Sequence, residues 1–113
     1  MKKVEAILRP EKLEDVRIAL KKVGYPGLMI SEIEGHGRQK GITQQWRGEV
    51  YHVDLVPKVK LEIVVADQDV SKITQAISRA AKTGAVGDGK IVVYDVKESV
   101  RIRTKEKGEG SLR

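Results

Sequence analysis

Val4, Ala6 and Leu8 alternate with the polar Glu5 and Arg9, the two-residue period of a strand with one face toward a core. Leu61, Ile63 and Val65 alternate with Lys60 and Glu62 in the same way, 57 positions later. Behind each strand comes a helical stripe. Leu13, Val16, Leu20 and Val23 are spaced three, four and three apart, and Val70, Ile73, Ile77 and Ala80 repeat that spacing at the same offset of 57. Pro10 suits the first turn of the first helix and Gly24 its end; Asp67 or Asp69 and Gly84 take the matching parts in the second half.

Residues 28–34 and 91–96 supply a closing strand to each half, so the order is βαββαβ. This predicts an α+β, ferredoxin-like sheet with two helices on one face, a long loop between the second and third strands, and an extended C-terminal tail. Residues 1–113 then make a single domain. Ile7 and Val64 point to the face without helices, which calls for cover by further subunits.

Residues 36–57 carry neither a helical stripe nor a tight-turn pair. A hairpin needs about two to five connecting residues, so a loop this long is functional or disordered. It holds the only tryptophan, Trp46, with Gln39, Lys40, Arg47, Tyr51 and His52, groups common at interfaces. A flexible insertion with Trp46 resting on a neighbouring surface is the alternative.

Residues 83–90 hold three glycines and a lysine, a composition that cradles phosphate with backbone N–H groups. From Gly84 to Lys90 they fit the first seven positions of the P-loop pattern, but Ile91 replaces the Ser or Thr whose hydroxyl binds Mg²⁺. The context is reversed as well, since this stretch follows a helix and enters a strand. Phosphate binding without P-loop hydrolysis is one reading. The other is a plain connection with Gly84 as helix cap and Asp88-Gly89 as a turn.

Arg101 and Arg103 flank Ile102, which on an extended strand puts both guanidinium groups on one face and Ile102 toward the core. Two aligned forks suit polyphosphate, although an edge strand with charged outward positions gives the same pattern. His36 and His52 are too isolated for a metal site or a catalytic base and read as solvated, and Glu32 and Glu34 as surface charge. No nucleophile stands out.

The net charge of +6 matters through its placement: residues 100–113 carry +3 and 36–58 carry +2, while 59–99 sum to zero. Discrete anionic ligands fit this better than a nucleic-acid backbone, and a solvated tail is the simpler account of residues 104–113. With no cysteine, disulfides and thiolate metal sites are excluded. No apolar run reaches the length of a signal peptide or membrane span, so a soluble, cytoplasmic protein is expected.

The chain from residue 1 to about 110, including Arg9-Pro10, Arg47-Gly48-Glu49-Val50-Tyr51, residues 83–90 and Arg101-Ile102-Arg103, resembles the PII nitrogen-regulatory signalling proteins, in the branch that controls ammonium transporters. The glycine stretch combined with Arg-x-Arg at this distance carries the likeness. It implies a homotrimer that binds ATP or ADP in clefts between subunits. Gly87, Asp88, Gly89 and Lys90 would surround the phosphates with Gly35, Gly37 and Arg38 nearby, Arg101 and Arg103 would reach in from a neighbour, and Ile7, Met29 and Val64 would line the adenine pocket. Gln39 would ligate Mg²⁺, and 2-oxoglutarate would meet Gln39, Lys40, Gly41 and Lys58. Trp46, Arg47, Gly48 and Tyr51 would face the partner. Met29 stands where the family commonly has a small hydroxylic residue. Tyr51 matches a tyrosine uridylylated in some members, but Trp46 and Glu49 replace the usual tyrosine and small residue around it, which speaks against that modification.

The resulting expectation is a trimeric sensor of ATP, ADP and 2-oxoglutarate, not an enzyme, that regulates an ammonium transporter at the inner membrane face and associates reversibly with it. A regulator of a soluble nitrogen-assimilation enzyme is the alternative. An RNA-binding module on this fold lacks the aromatics it needs, since there is no Phe and the third strand shows Lys60, Glu62 and Val64, so no nucleic-acid partner is expected. A small phosphatase or ATPase lacks a positioned base.

Overall fold

The computed structural model describes residues 1–25, 27–36, 42–46, 49–53 and 55–112. Strands β1 (Lys2–Leu8), β2 (Met29–His36), β3 (Ile42–Trp46), β4 (Glu49–Val53), β5 (Leu55–Val65) and β6 (Lys90–Asp95) are joined by helices α1 (Leu13–Lys22) and α2 (Val70–Ala81). Each helix is entered through a 3₁₀ turn, Pro10–Lys12 or Asp67–Asp69. The repeat therefore extends to the turns, which start 57 residues apart, as do the helices.

Pro10 opens the first of these turns, where its fixed φ is already helical. Gly24 follows α1 at φ +95° and donates its N–H to the Lys21 carbonyl at 3.1 Å. Gly84 does not end α2. The helix stops at Ala81 with Lys82 as its extended capping residue, and the Gly84 amide serves the following loop instead.

The main sheet is antiparallel with strand order β2-β5-β1-β6, as the βαββαβ pattern predicts. Val4, Ala6 and Leu8 of β1 and Val59, Leu61, Ile63 and Val65 of β5 face the helices and are buried. Val16 and Leu20 of α1 and Ile73 and Ile77 of α2 meet them, also buried, so both stripes read from the sequence form the core. Fully burying one such side chain contributes about 1.5–3 kcal/mol.

β1 and β5, the two copies of the repeated strand, pair with each other. Their register sets Glu5 opposite Glu62, and these two residues are themselves 57 apart. A local twofold axis thus passes between the two carboxylates. Lys3 and Lys60, another repeated pair, flank it: Lys3 Nζ lies 3.3 Å and Lys60 Nζ 3.4 Å from Glu62, whose carboxyl is held below its ordinary value, first by Lys3. Tyr94 of β6 is pushed up by its hydrogen bond to Glu5, and the Lys3 ammonium sits 4.7 Å from its ring centroid. The face without helices is therefore less apolar than Ile7 and Val64 suggest, because a neutral charged quartet separates them.

Between β2 and β5, β3 and β4 form their own antiparallel ladder with Trp46 opposite Glu49, and β2 and β5 reach out to pair His36 with Leu55. Strand structure thus enters a segment whose sequence shows no turn pair; β-branched and aromatic residues at positions 42, 46, 50, 51 and 53 favour it.

The tail also departs from an extended course. Val100 bridges to Lys107, and the Arg101 carbonyl accepts the Lys105 N–H at 2.8 Å, so residues 102–104 form a turn. Ile102 is 96% exposed there, not directed to the core, because the chain reverses before it can add a strand to the sheet. Residues Gly108–Ser111 form a 3₁₀ turn, and the Ser111 hydroxyl pairs with that of Ser99 at 2.7 Å.

Candidate functional site

Residues 83–90 run from the end of α2 into β6. Asp88 organises them. Its Oδ2 accepts the Thr83 and Gly84 amides, each at 2.9 Å, while Oδ1 takes the Thr83 hydroxyl and Arg9 Nε, the latter at 3.1 Å. These donors hold the carboxyl far below the ordinary carboxylate range, the Thr83 hydroxyl first, then the Thr83 and Gly84 amides and Arg9. Gly87 and Gly89 have φ of +103° and +92°, the left-handed backbone that anion-binding concavities use. At Gly89 a side chain is also sterically barred, since an added Cβ would fall 1.7 Å from the Ile7 carbonyl oxygen.

Two cations brace this loop from outside it. Arg9, at the end of β1, adds a 2.9 Å bond from Nη2 to the Val86 carbonyl. Lys58 of β5 is 8% exposed and donates to the Gly87 carbonyl; burial, then the Arg9 charge, lower its pKa. Sequence reasoning passed over Arg9 as a site residue. Its position at a strand end before Pro10 was visible, but its loop partners lie 77 and 79 residues away.

Ile7, Leu8, Lys82, Asp88, Gly89 and Lys90 line a cleft of about 250 Å³ beside the loop. Lys82 and Lys90 bring positive charge to it, and the Asp88 carboxylate is taken up by the loop's own donors, so the residues present fit a phosphate group. Of the predicted set, Ile7, Lys58, Gly87, Asp88, Gly89 and Lys90 are thus brought together.

Met29 and Val64 are not with them. Ile7 pairs with Lys60, four residues before Val64 on β5, a distance of about 13 Å along the strand. Met29, 61% exposed, and Val64 line a separate groove of about 660 Å³ with Gly27, Leu28, Ser99 and Leu112. The arginine segment belongs to this second end of the sheet. Arg101 lies 3.5 Å from Glu106 and donates to Gly110, which lines a hollow with Tyr25, Ala66 and Gln68 just past β5; Arg103 is exposed.

Gly37, Arg38, Gln39, Lys40, Gly41, Arg47 and Gly48 lie outside the described residues. Gly35 pairs with Val56 through its backbone, and Trp46 and Tyr51 fall on the β3–β4 ladder. Among the described residues there is no group of three or more His, Cys, Asp or Glu that could hold a metal, and no helix is long and apolar enough to cross a membrane.

A four-stranded antiparallel sheet with two helices on one face, carrying a braced glycine-rich loop at one end and two arginines at the other, defines a small α+β protein of the ferredoxin-like class. The family model described as Nitrogen regulatory protein P-II matches residues 1–106. The chain is 53% identical over 112 residues to a protein of that name from Pasteurella multocida (strain Pm70), covering 99% of this chain and 100% of the relative. It is 51% identical to Nitrogen regulatory protein P-II 1 of Escherichia coli (strain K12), with coverage of 99% and 100%. Nitrogen regulatory protein P-II 2 of Methanothermobacter thermautotrophicus is likewise 51% identical, at 99% and 97% coverage. The chain belongs to the P-II nitrogen regulatory protein family, and it is a regulator in nitrogen signal transduction.

Proposed function

We propose that the chain acts as a cytoplasmic homotrimer that binds ATP or ADP, binds 2-oxoglutarate with MgATP, and regulates an ammonium transporter through residues 36–57. It works by binding, not by catalysis. One observation carries the nucleotide reading: Lys90 opens β6, whereas Arg101 and Arg103 follow its far end, beyond a strand about 17 Å long. Both sets act on one polyphosphate only if the arginines come from a neighbouring chain. The placing of Met29 and Val64 at the arginine end supports the same division of the site between two chains.

In this reading Gly87, Gly89 and Lys90 hold the phosphates, with Gly35, Gly37 and Arg38 beside them, Ile7 of one chain and Met29 and Val64 of the next enclose the base, and Asp88 keeps the loop in shape. Mg²⁺, held through Gln39, supplies charge neutralisation. Lys58 meets the distal carboxylate of 2-oxoglutarate, with Lys40 and Gly41 alongside. Each ligand favours a different arrangement of residues 36–57, and that population shift is the output. Arg47 enters the transporter's cytoplasmic mouth, Gly48 permits the turn, and Trp46 and Tyr51 anchor the rim. Three such segments match a threefold channel, and the protein joins the membrane reversibly through it.

The test is calorimetry with ATP, ADP and 2-oxoglutarate, singly and together, with light scattering for mass. Nucleotide should bind alone and 2-oxoglutarate only with MgATP, on a particle of three chains. Absence of heat with both nucleotides, or a monomer that binds them, overturns the reading.

A further inference from the structure

Arg9 has no place in the nucleotide reading above, yet it engages the loop at two separate groups. Its side chain is 15% exposed, and its guanidinium spans two loop groups: Nε reaches Asp88 Oδ1 at 3.1 Å and Nη2 the Val86 carbonyl at 2.9 Å. Asp88 passes the constraint on by holding the Thr83 and Gly84 amides. On the opposite side, the backbone at Gly89 is seated on Ile7, two residues before Arg9. The end of β1 thus fixes the loop at Val86, Asp88 and Gly89.

We propose that Arg9 is a positioning residue for phosphate binding: through Asp88 it sets the shape of residues 83–90 before an anion arrives, and it touches no phosphate itself. The inference rests on the reading of this loop as a nucleotide-phosphate site. Preorganisation of this kind raises affinity by removing the ordering cost at the moment of binding.

The proposal separates sharply from a role for Arg9 as a direct phosphate ligand, and Asp88 supplies the contrast. If only Coulomb forces mattered, removing the negative charge of Asp88 near a polyphosphate would tighten binding. If Arg9 acts through Asp88, removing that charge loosens the loop and weakens binding, although the net charge has become more favourable.

The experiment measures ATP affinity by calorimetry in the full chain and in Arg9→Gln, Asp88→Asn and the double variant, with adenosine as a competitor that lacks phosphates. Each single variant should lose about tenfold in ATP affinity, the double variant no more than either alone, and adenosine should compete within about twofold of the parent in all. Arg9→Lys, which keeps the charge without the fork, should remain close to Arg9→Gln. Thr83→Val, at an exposed position, removes the hydroxyl that donates to Asp88 and accepts the Ala85 N–H, so it tests the idea if the stronger variants fold poorly; a loss of roughly two- to fivefold is expected. ATP binding as tight as the parent in Asp88→Asn or Thr83→Val overturns the proposal. So does a double variant whose losses multiply, or a parallel fall in adenosine affinity. A parent chain that binds neither ATP nor ADP would instead remove the nucleotide reading on which the proposal rests.

Discussion

Replacing Gly89 by alanine places a Cβ 1.7 Å from the Ile7 carbonyl oxygen and 2.7 Å from its carbon, where ordinary contacts begin at 3.4 Å. Neither atom is the end of a flexible side chain, so β1 and the loop must separate by more than an ångström. Ile7 faces Lys90 where the β1–β6 ladder ends, and the displacement strains the backbone pairing there. Weakening about two hydrogen bonds costs about 2 kcal/mol, and a non-glycine residue at positive φ costs about 1 kcal/mol more. Gly84 is the matched control: its φ is +88°, but nothing lies within 4 Å of an added Cβ, so Gly84→Ala should lose only the conformational part. For a chain of this size about 1 kcal/mol corresponds to roughly 4 °C in Tm. Thermal unfolding followed by circular dichroism, at one protein concentration, should therefore show a fall of about 12 °C for Gly89→Ala and about 4 °C for Gly84→Ala. Equal Tm values for the two variants would refute the close-approach argument, and unchanged ATP affinity in Gly89→Ala would separate the loop's seat on Ile7 from ligand binding.

Lys58→Met should leave the ligand-free protein within about 1 kcal/mol of the parent, since relief of the buried ammonium offsets the lost hydrogen bond to the Gly87 carbonyl, while 2-oxoglutarate binding is lost and ATP alone still binds. Because burial lowers the folded-state pKa of Lys58, the folded protein holds fewer protons than the unfolded chain in the alkaline window between the two values. Stability of the parent should rise with pH across that window more than in the variant, measured by denaturant titration. Asp88 behaves oppositely: its depressed folded pKa gives stability that is present above about pH 3.9 and lost as pH falls toward the folded value. Asp88→Asn should therefore flatten the acid limb of stability against pH by up to about one proton. Finally, Arg47→Glu should abolish co-sedimentation with transporter-containing membranes in ADP, and MgATP with 2-oxoglutarate should release the parent; retention indifferent to ligand and to this substitution would discard the plug.

The repeat made the sheet legible because Val4, Ala6 and Leu8 and their copies face a single core, and burial enforces period there. Edges carried weaker signals. β2 and β5 run past the predicted boundaries because backbone pairing, once begun, continues through residues with no apolar pattern, Gly35 with Val56 and His36 with Leu55. The Ile102 assignment failed for a related reason: one apolar residue between two arginines is strand-like only where a partner strand exists. In the site, glycine positions were readable from composition, whereas the braces were not. Arg9 and Lys58 reach the loop across 77 and 29 residues, contacts that no local spacing encodes.

The pairing of β1 with β5 has a consequence for how the chain comes off the ribosome. In the order β2-β5-β1-β6, the two strands that each half gives to the main sheet are kept apart by a strand of the other half, so neither half can pair its own strands within that sheet. The first half alone therefore cannot pair β1 with β2 in the main sheet. Lys2 waits for Val65, and at about 5–20 residues per second the wait is at least about 3 s. Throughout that interval Val4, Ala6 and Leu8 are an unpaired, β-prone stripe. Lys2, Lys3, Glu5 and Arg9, set among and beside them, are the charges that keep such a stripe from joining a neighbouring nascent chain before its own partner emerges.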